Sequence, residues 1–109
     1  MGVQRVGSVI GLADGAGAEY ERLHRAVPSP VLNAIRRAGI ANYTIFRHDN
    51  LLFAYYEHHG TDLAADLAEM GRDEATRTWW DRVGPLQRTL RSRDGEPWWV
   101  EMTEVFHAD

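Results

Sequence analysis

The sequence predicts an α+β sandwich, with one four-stranded sheet and helices on one of its faces. Three observations carry this. A run of alternating apolar residues stands near each end of the chain. Two more β-rich runs flank a turn in the middle. Segments with helical apolar spacing separate these strands in two places. The 109 residues amount to one domain, 1–109, able to bury one core.

Residues 3–12 form the first strand, with Val6, Ser8, Ile10 and Leu12 in one phase and Gly7, Val9 and Gly11 in the other. A loop over Asp14 to Gly17 leads into a helix from Ala18, where Tyr20, Leu23, His24 and Val27 share a face. Pro28 ends it. Ser29 then reads as an N-cap with Pro30 at the first helical position, opening a helix that carries Val31, Leu32, Ile35 and Ala38 to a stop at Gly39.

Residues 40–47 and 51–58 pair as a hairpin around His48-Asp49-Asn50. A helix opened by Gly60-Thr61 places Leu63, Leu67 and Met70 together, and Gly71 interrupts it. Residues 73–83 resume as a helix with Ala75, Trp79 and Val83 stacked. Pro85 to Glu96 is mostly polar and reads in part as loop, and 97–106 alternates as a last strand. This order matches a ferredoxin-like split βαβ unit of the dimeric α/β-barrel type. One sheet face then lacks helices. The expected outcome is dimerisation through the sheet, or a ligand cavity between sheet and helices.

Composition narrows the function. The chain is 44% hydrophobic and 26% charged, with a net charge of −4. All 12 basic residues are arginines, scattered among 16 acids, which gives no footprint for nucleic acid. Without cysteine there is no disulfide, thiolate nucleophile or Cys-zinc site. No apolar run approaches the ~20 residues of a membrane span, and the first residues do not read as a signal peptide. The expectation is a soluble, cytoplasmic protein. Metal-ligand spacings, phosphate-binding glycine loops and a nucleophile elbow are also missing, so no metal or cofactor is expected.

Several residues could carry chemistry. Tyr20 and His24 lie one above the other at i, i+4, a phenol and an imidazole able to exchange a proton near neutrality, or, the commoner case on such a face, two half-buried packing residues. Trp79 and Trp80 point about 100° apart, so one can pack in the core while the other lines a cavity and covers a sugar's apolar face. Asn42 and Tyr43 fall on opposite faces of a regular strand, and alternation does not decide which meets a cavity. Trp98 and Trp99 alternate across the last strand, which suits a dimer interface. The pair His58-His59 splits across a strand end and cannot easily share a metal.

In order and spacing, these residues resemble the L-rhamnose mutarotase family over nearly the whole chain. The resemblance is carried by Glu19-Tyr20 with His24, by Asn42-Tyr43 with Ile45, by Asn50-Leu51-Leu52-Phe53-Ala54, by Trp79-Trp80 and by Glu104-Val105-Phe106. It departs at Pro28-Ser29-Pro30, where the family usually has Trp-Pro-Glu. The resemblance implies a homodimer that interconverts the α and β anomers of a 6-deoxy-hexose pyranose without a cofactor. It implies His24 as proton donor to the ring oxygen, Tyr20 and Tyr43 as hydroxyl ligands, and Trp79 and Trp80 as substrate-binding indoles. Two other classes fit the same pattern. One is a cofactor-free oxygenase or cyclase of this fold acting on an aromatic polyketide, and the other is a non-catalytic small-ligand-binding domain.

Overall fold

The computed structural model describes residues 2–109. Nine residues of β1 (Gln4–Leu12) form the centre of a five-stranded sheet. The apolar phase read from the sequence is the buried one: Val6, Ser8, Ile10 and Leu12 all face inward, and Ile10 and Leu12 are fully buried. After α1 (Gly17–His24) and α2 (Ser29–Arg37), the chain returns as the hairpin β2 (Ile40–His48) and β3 (Leu51–His58). Helices α3 (Leu63–Gly71) and α4 (Glu74–Val83) follow, then the short strands β4 (Gln87–Arg88) and β5 (Val100–Met102). The order across the sheet is β2-β3-β1-β4, every pairing is antiparallel, and β5 lies beside β4 on the same edge of β1. This is the ferredoxin-like order, with the helices on the inner face.

Each helix starts and stops for a local reason. Asp62 caps α3 by accepting from the Ala65 N–H at 3.0 Å, and Asp73 caps α4 by accepting from the Thr76 N–H at 2.9 Å. Gly39, at φ 76°, supplies the left-handed residue that ends α2. Helix α1 is shorter than its apolar spacing suggests. Arg25 and Ala26 donate to carbonyls three residues back, and Pro28 holds its predecessor out of the helical region. Val27 thus lies beyond the helix but still packs on the core. Ser29 is not the N-cap of α2 either. That place falls to Pro28, and no side-chain cap bond forms.

The core joins Ile10, Leu12 and Leu52 of the sheet to Tyr20, Leu23, Val31, Trp79 and Val83 of the helices. Fully burying one such side chain contributes about 1.5–3 kcal/mol. Buried His58 sits at the end of β3, and its Nε2 lies 2.7 Å from Oδ2 of Asp66, which ties α3 to the sheet. His59 points away and is half exposed.

The final third differs most from expectation. The polar stretch after Pro85 contains β4, because the edge of β1 accepts it: Ala13 N–H donates to the Leu86 carbonyl at 2.9 Å, and Gly11 and Leu12 pair with Arg88 and Gln87. The last strand shrinks to three residues. Trp98 and Trp99 precede it in irregular chain, where the Trp98 carbonyl accepts from Thr89 Oγ1 at 2.6 Å in place of a ladder bond. They do not alternate across the sheet. Among the described residues, no helix is long and apolar enough to cross a membrane.

Candidate active site

Between the helices and the inner face of the sheet lies a cavity of about 960 Å³, at the upper end of the usual small-molecule range. Its floor is the sheet, through Val6, Ser8, Ile45 and Tyr56. Val31 and Ile35 of α2 and Leu67 and Met70 of α3 form apolar walls. Tyr20, Tyr43, Trp79 and Trp80 all reach this cavity, from the three elements α1, β2 and α4.

A β-bulge brings Tyr43 there. Ala41 pairs with Glu57 and Thr44 with Tyr55, so Asn42 and Tyr43 together oppose one residue, Tyr56. Asn42 takes φ 54°, a left-handed value that asparagine tolerates. Its amide donates to Glu57 Oε1 at 2.9 Å. The ring of Tyr43 meets that of Tyr56 edge-on at 5.6 Å. Regular alternation cannot place Ile40 and Ile45 on one face, and the extra residue makes it possible. Tyr43 is 42% exposed, but that surface opens into a concave wall. Atoms crowd it on several sides, and burial, with Tyr20 and Tyr56 nearby, drives its phenol far above the usual range.

Tyr20 is held more tightly. Trp98 Nε1 can only donate, and it donates to Gln87 Oε1 at 2.8 Å. The Gln87 amide nitrogen therefore faces Tyr20 and donates to its Oη at 3.2 Å. The phenol hydrogen of Tyr20 is left for another acceptor. Burial also raises this phenol, so it stays protonated near neutrality.

His24 does not line the cavity. Its ring stacks on Tyr20, with centroids 4.3 Å apart and planes at 23°, and meets Trp79 edge-on at 5.1 Å. It stands directly against two rings that do line it. Nδ1 lies 2.8 Å from the Tyr20 carbonyl, which can only accept, so Nδ1 carries the hydrogen. Nε2 is the nitrogen left free to exchange a proton. Burial lowers the pKa of His24, and the bond to the Tyr20 carbonyl offsets part of that shift.

Both indoles of α4 contribute. Trp79 is buried in the core and lines the cavity as well, while Trp80 is 45% exposed and its six-membered ring lies against Gly71. Sequence reasoning passed over Gln87, which sits in a two-residue strand with no periodic signal. It also passed over Tyr56 and Ser8, although a serine in the buried phase of β1 was a visible sign. Trp98 and Trp99, expected at a dimer interface, line the cavity too. No group of three or more His, Asp or Glu side chains that could hold a metal ion occurs among the described residues.

The description "L-rhamnose mutarotase" belongs to the sequence family whose profile matches residues 5–108. A protein of that name from Opitutus terrae is 31% identical over 103 residues, covering 93% of this chain and 94% of its own. Another from Burkholderia cenocepacia is 33% identical over 100 residues, covering 90% and 91%. The chain belongs to the L-rhamnose mutarotase family. A crystal structure of the L-rhamnose mutarotase from Formosa agariphila superposes with a TM-score of 0.76 at 24% identity, covering 97% of this chain and 99% of that one. A putative antibiotic biosynthesis monooxygenase from Nitrosomonas europaea superposes at 0.56 with 19% identity, covering 94% and 100%. These two likenesses show the shared ferredoxin-like fold, and the second carries no argument for oxygenase chemistry.

Proposed function

We propose that this protein is a mutarotase that interconverts the α and β anomers of L-rhamnose or a similar 6-deoxy-hexose pyranose, without a cofactor. The observation that carries the reading is the convergence of Tyr20, Tyr43, Trp79 and Trp80 on one cavity, in a chain of this family. Two protonated phenols offer hydrogen bonds to sugar hydroxyls. Indole faces suit the apolar C–H faces of a pyranose.

Mutarotation opens the ring to an aldehyde, turns the carbonyl and closes the ring again. An acid must protonate the ring oxygen while a base takes the proton of the anomeric hydroxyl. A positioned group of this kind supplies about 10²–10⁴-fold. His24 is the proposed donor, acting through Nε2 at the junction of Tyr20 and Trp79, and Nδ1–H on the backbone carbonyl fixes its tautomer.

The proposed working form is a cytoplasmic homodimer. The sheet's outer face exposes Phe46 and Met102, with Phe53 and Val9 partly open between them. A chain without cysteine is compatible with a reducing compartment. The deciding experiment is NMR exchange spectroscopy on the anomeric protons of L-rhamnose and L-fucose. Faster exchange with catalytic protein supports the reading. Binding without exchange shows a ligand-binding module instead.

A further inference from the structure

We propose that Glu101 is a second proton-transfer group of this site, the base that takes the proton of the anomeric hydroxyl. This rests on the mutarotase reading above.

Strand register places the residue. In the antiparallel pair of β1 and β5, Glu101 lies opposite Ser8, Val100 opposite Val9 and Met102 opposite Gly7. Directly opposed residues project to the same face. Ser8 is on the inner, buried phase of β1 and lines the cavity, so Glu101 points there too. Met102 projects outward, its methyl 3.4 Å from where a Cβ on Gly7 would stand. Glu101 is itself part of the cavity wall, beside the phenols of the sheet floor. Its charge is felt there, since after burial it is the cause that raises the Tyr56 phenol.

Chemistry then favours Glu101 over its neighbours. Among the described residues lining the cavity, it is the only carboxylate. No ion pair or hydrogen bond to the described residues occupies it, whereas Glu57 is held by Asn42 and Tyr55. Tyr20 and Tyr43 are held protonated by burial, so neither can serve as the base. The reaction needs one donor and one acceptor in the same site, and His24 is already the proposed donor. In the balanced step, Glu101 takes the proton from O1 and the O1 electron pair forms the C1=O1 bond. The C1–O5 bond breaks with its pair going to O5, which takes up the proton supplied by the site's acid, the role proposed for His24. After the carbonyl turns, both protons return as the ring closes. No oxidant, reductant or further reactant is involved.

Glu101→Gln tests this, because it keeps shape and removes the basic oxygen. Exchange rates would be measured across L-rhamnose concentrations to separate kcat from KM, with circular dichroism and Tm on the same preparations. The expected result is a kcat lower by about 10²-fold or more, with KM nearly unchanged, and a smaller loss in Glu101→Asp, which keeps a carboxylate. A folded Glu101→Gln with wild-type kcat, a loss confined to KM, or equal losses in both variants overturns the proposal while leaving the mutarotase reading intact. A wild-type protein that exchanges no sugar overturns both.

Discussion

His24 commits Nδ1–H to a backbone carbonyl inside its own helix, and that bond limits what the ring can do. Only Nε2 can pass a proton, and it does so from an imidazolium that burial disfavours. Acting as the acid, His24 gives an exchange rate that falls as pH rises through a pKa below the ordinary histidine value; a profile flat across that range contradicts it. His24→Ala is expected to lose at least about 10²-fold in kcat while remaining helical, since alanine is the better helix former. His24→Gln loses nearly as much, because an amide can bond to the ring oxygen but cannot deliver a proton. If the ring merely holds Tyr20 and Trp79 in place, His24→Ala will raise KM or lower Tm and leave kcat alone. Tyr20→Phe removes one hydroxyl ligand and is expected to act mainly on KM. The i, i+4 spacing made the Tyr20–His24 stack legible before any coordinates. The Gln87 bridge from Trp98 to Tyr20 was not legible, because Gln87 meets Tyr20 across 67 positions, from a strand with no pattern of its own.

At the scale of elements, β1 and the hairpin were readable because their buried phase is continuous and apolar. β4 was not, because two residues cannot show an alternation, and it forms only where β1 leaves an edge open. Its seat depends on Gly11. A Cβ there would stand 2.9 Å from the Arg88 carbonyl oxygen, a backbone atom that cannot easily yield. Gly11→Ala is therefore expected to push β4 outward, lower stability by about 1–3 kcal/mol and loosen the Gln87–Tyr20 bond. Chemical denaturation and the KM for sugar check the two halves of that expectation. Leu52→Ala, at a fully buried site on β3, should cost about 2–5 kcal/mol. The α4 indoles admit a separate test. Sugar binding should change tryptophan fluorescence, and Trp79→Phe or Trp80→Phe should alter that response. If neither does, this pair does not stack on the sugar.

For the whole molecule, the helices cover one face of the sheet and leave the other open. Phe46 is 65% exposed there, directly opposite Phe53 on the neighbouring strand. A second copy covering this face gives a dimer whose Tm rises with protein concentration. Light scattering at micromolar concentration should report twice the chain mass, and Phe46→Glu should shift it toward the monomer. A wild-type monomer under those conditions would refute the assembly. The sandwich, its helix faces and its one covered sheet face follow from periodicity alone. The cavity's closure by the segment around Trp98 and Trp99 does not, because side-chain bonds such as Thr89 to the Trp98 carbonyl hold that segment, and they leave no periodic trace.

The bulge in β2 also bears on which insertions and deletions the chain can survive. In an ordinary strand, losing one residue turns everything on one side of the loss inside out. Here Asn42 is the surplus residue, and removing it pairs Tyr43 one-to-one with Tyr56. Ile40 and Ile45 keep their faces, and Tyr43 still points inward. A chain lacking Asn42 is therefore expected to fold with Tyr43 in the cavity. Losing Thr44 relieves the same bulge but turns Tyr43 outward, opposite Tyr55, so that chain is expected to keep its sheet and lose the cavity phenol. Shortening of this strand in the course of descent is tolerated within the bulge, and a library of single-residue deletions across β2, scored for soluble protein and for sugar binding, would reveal it.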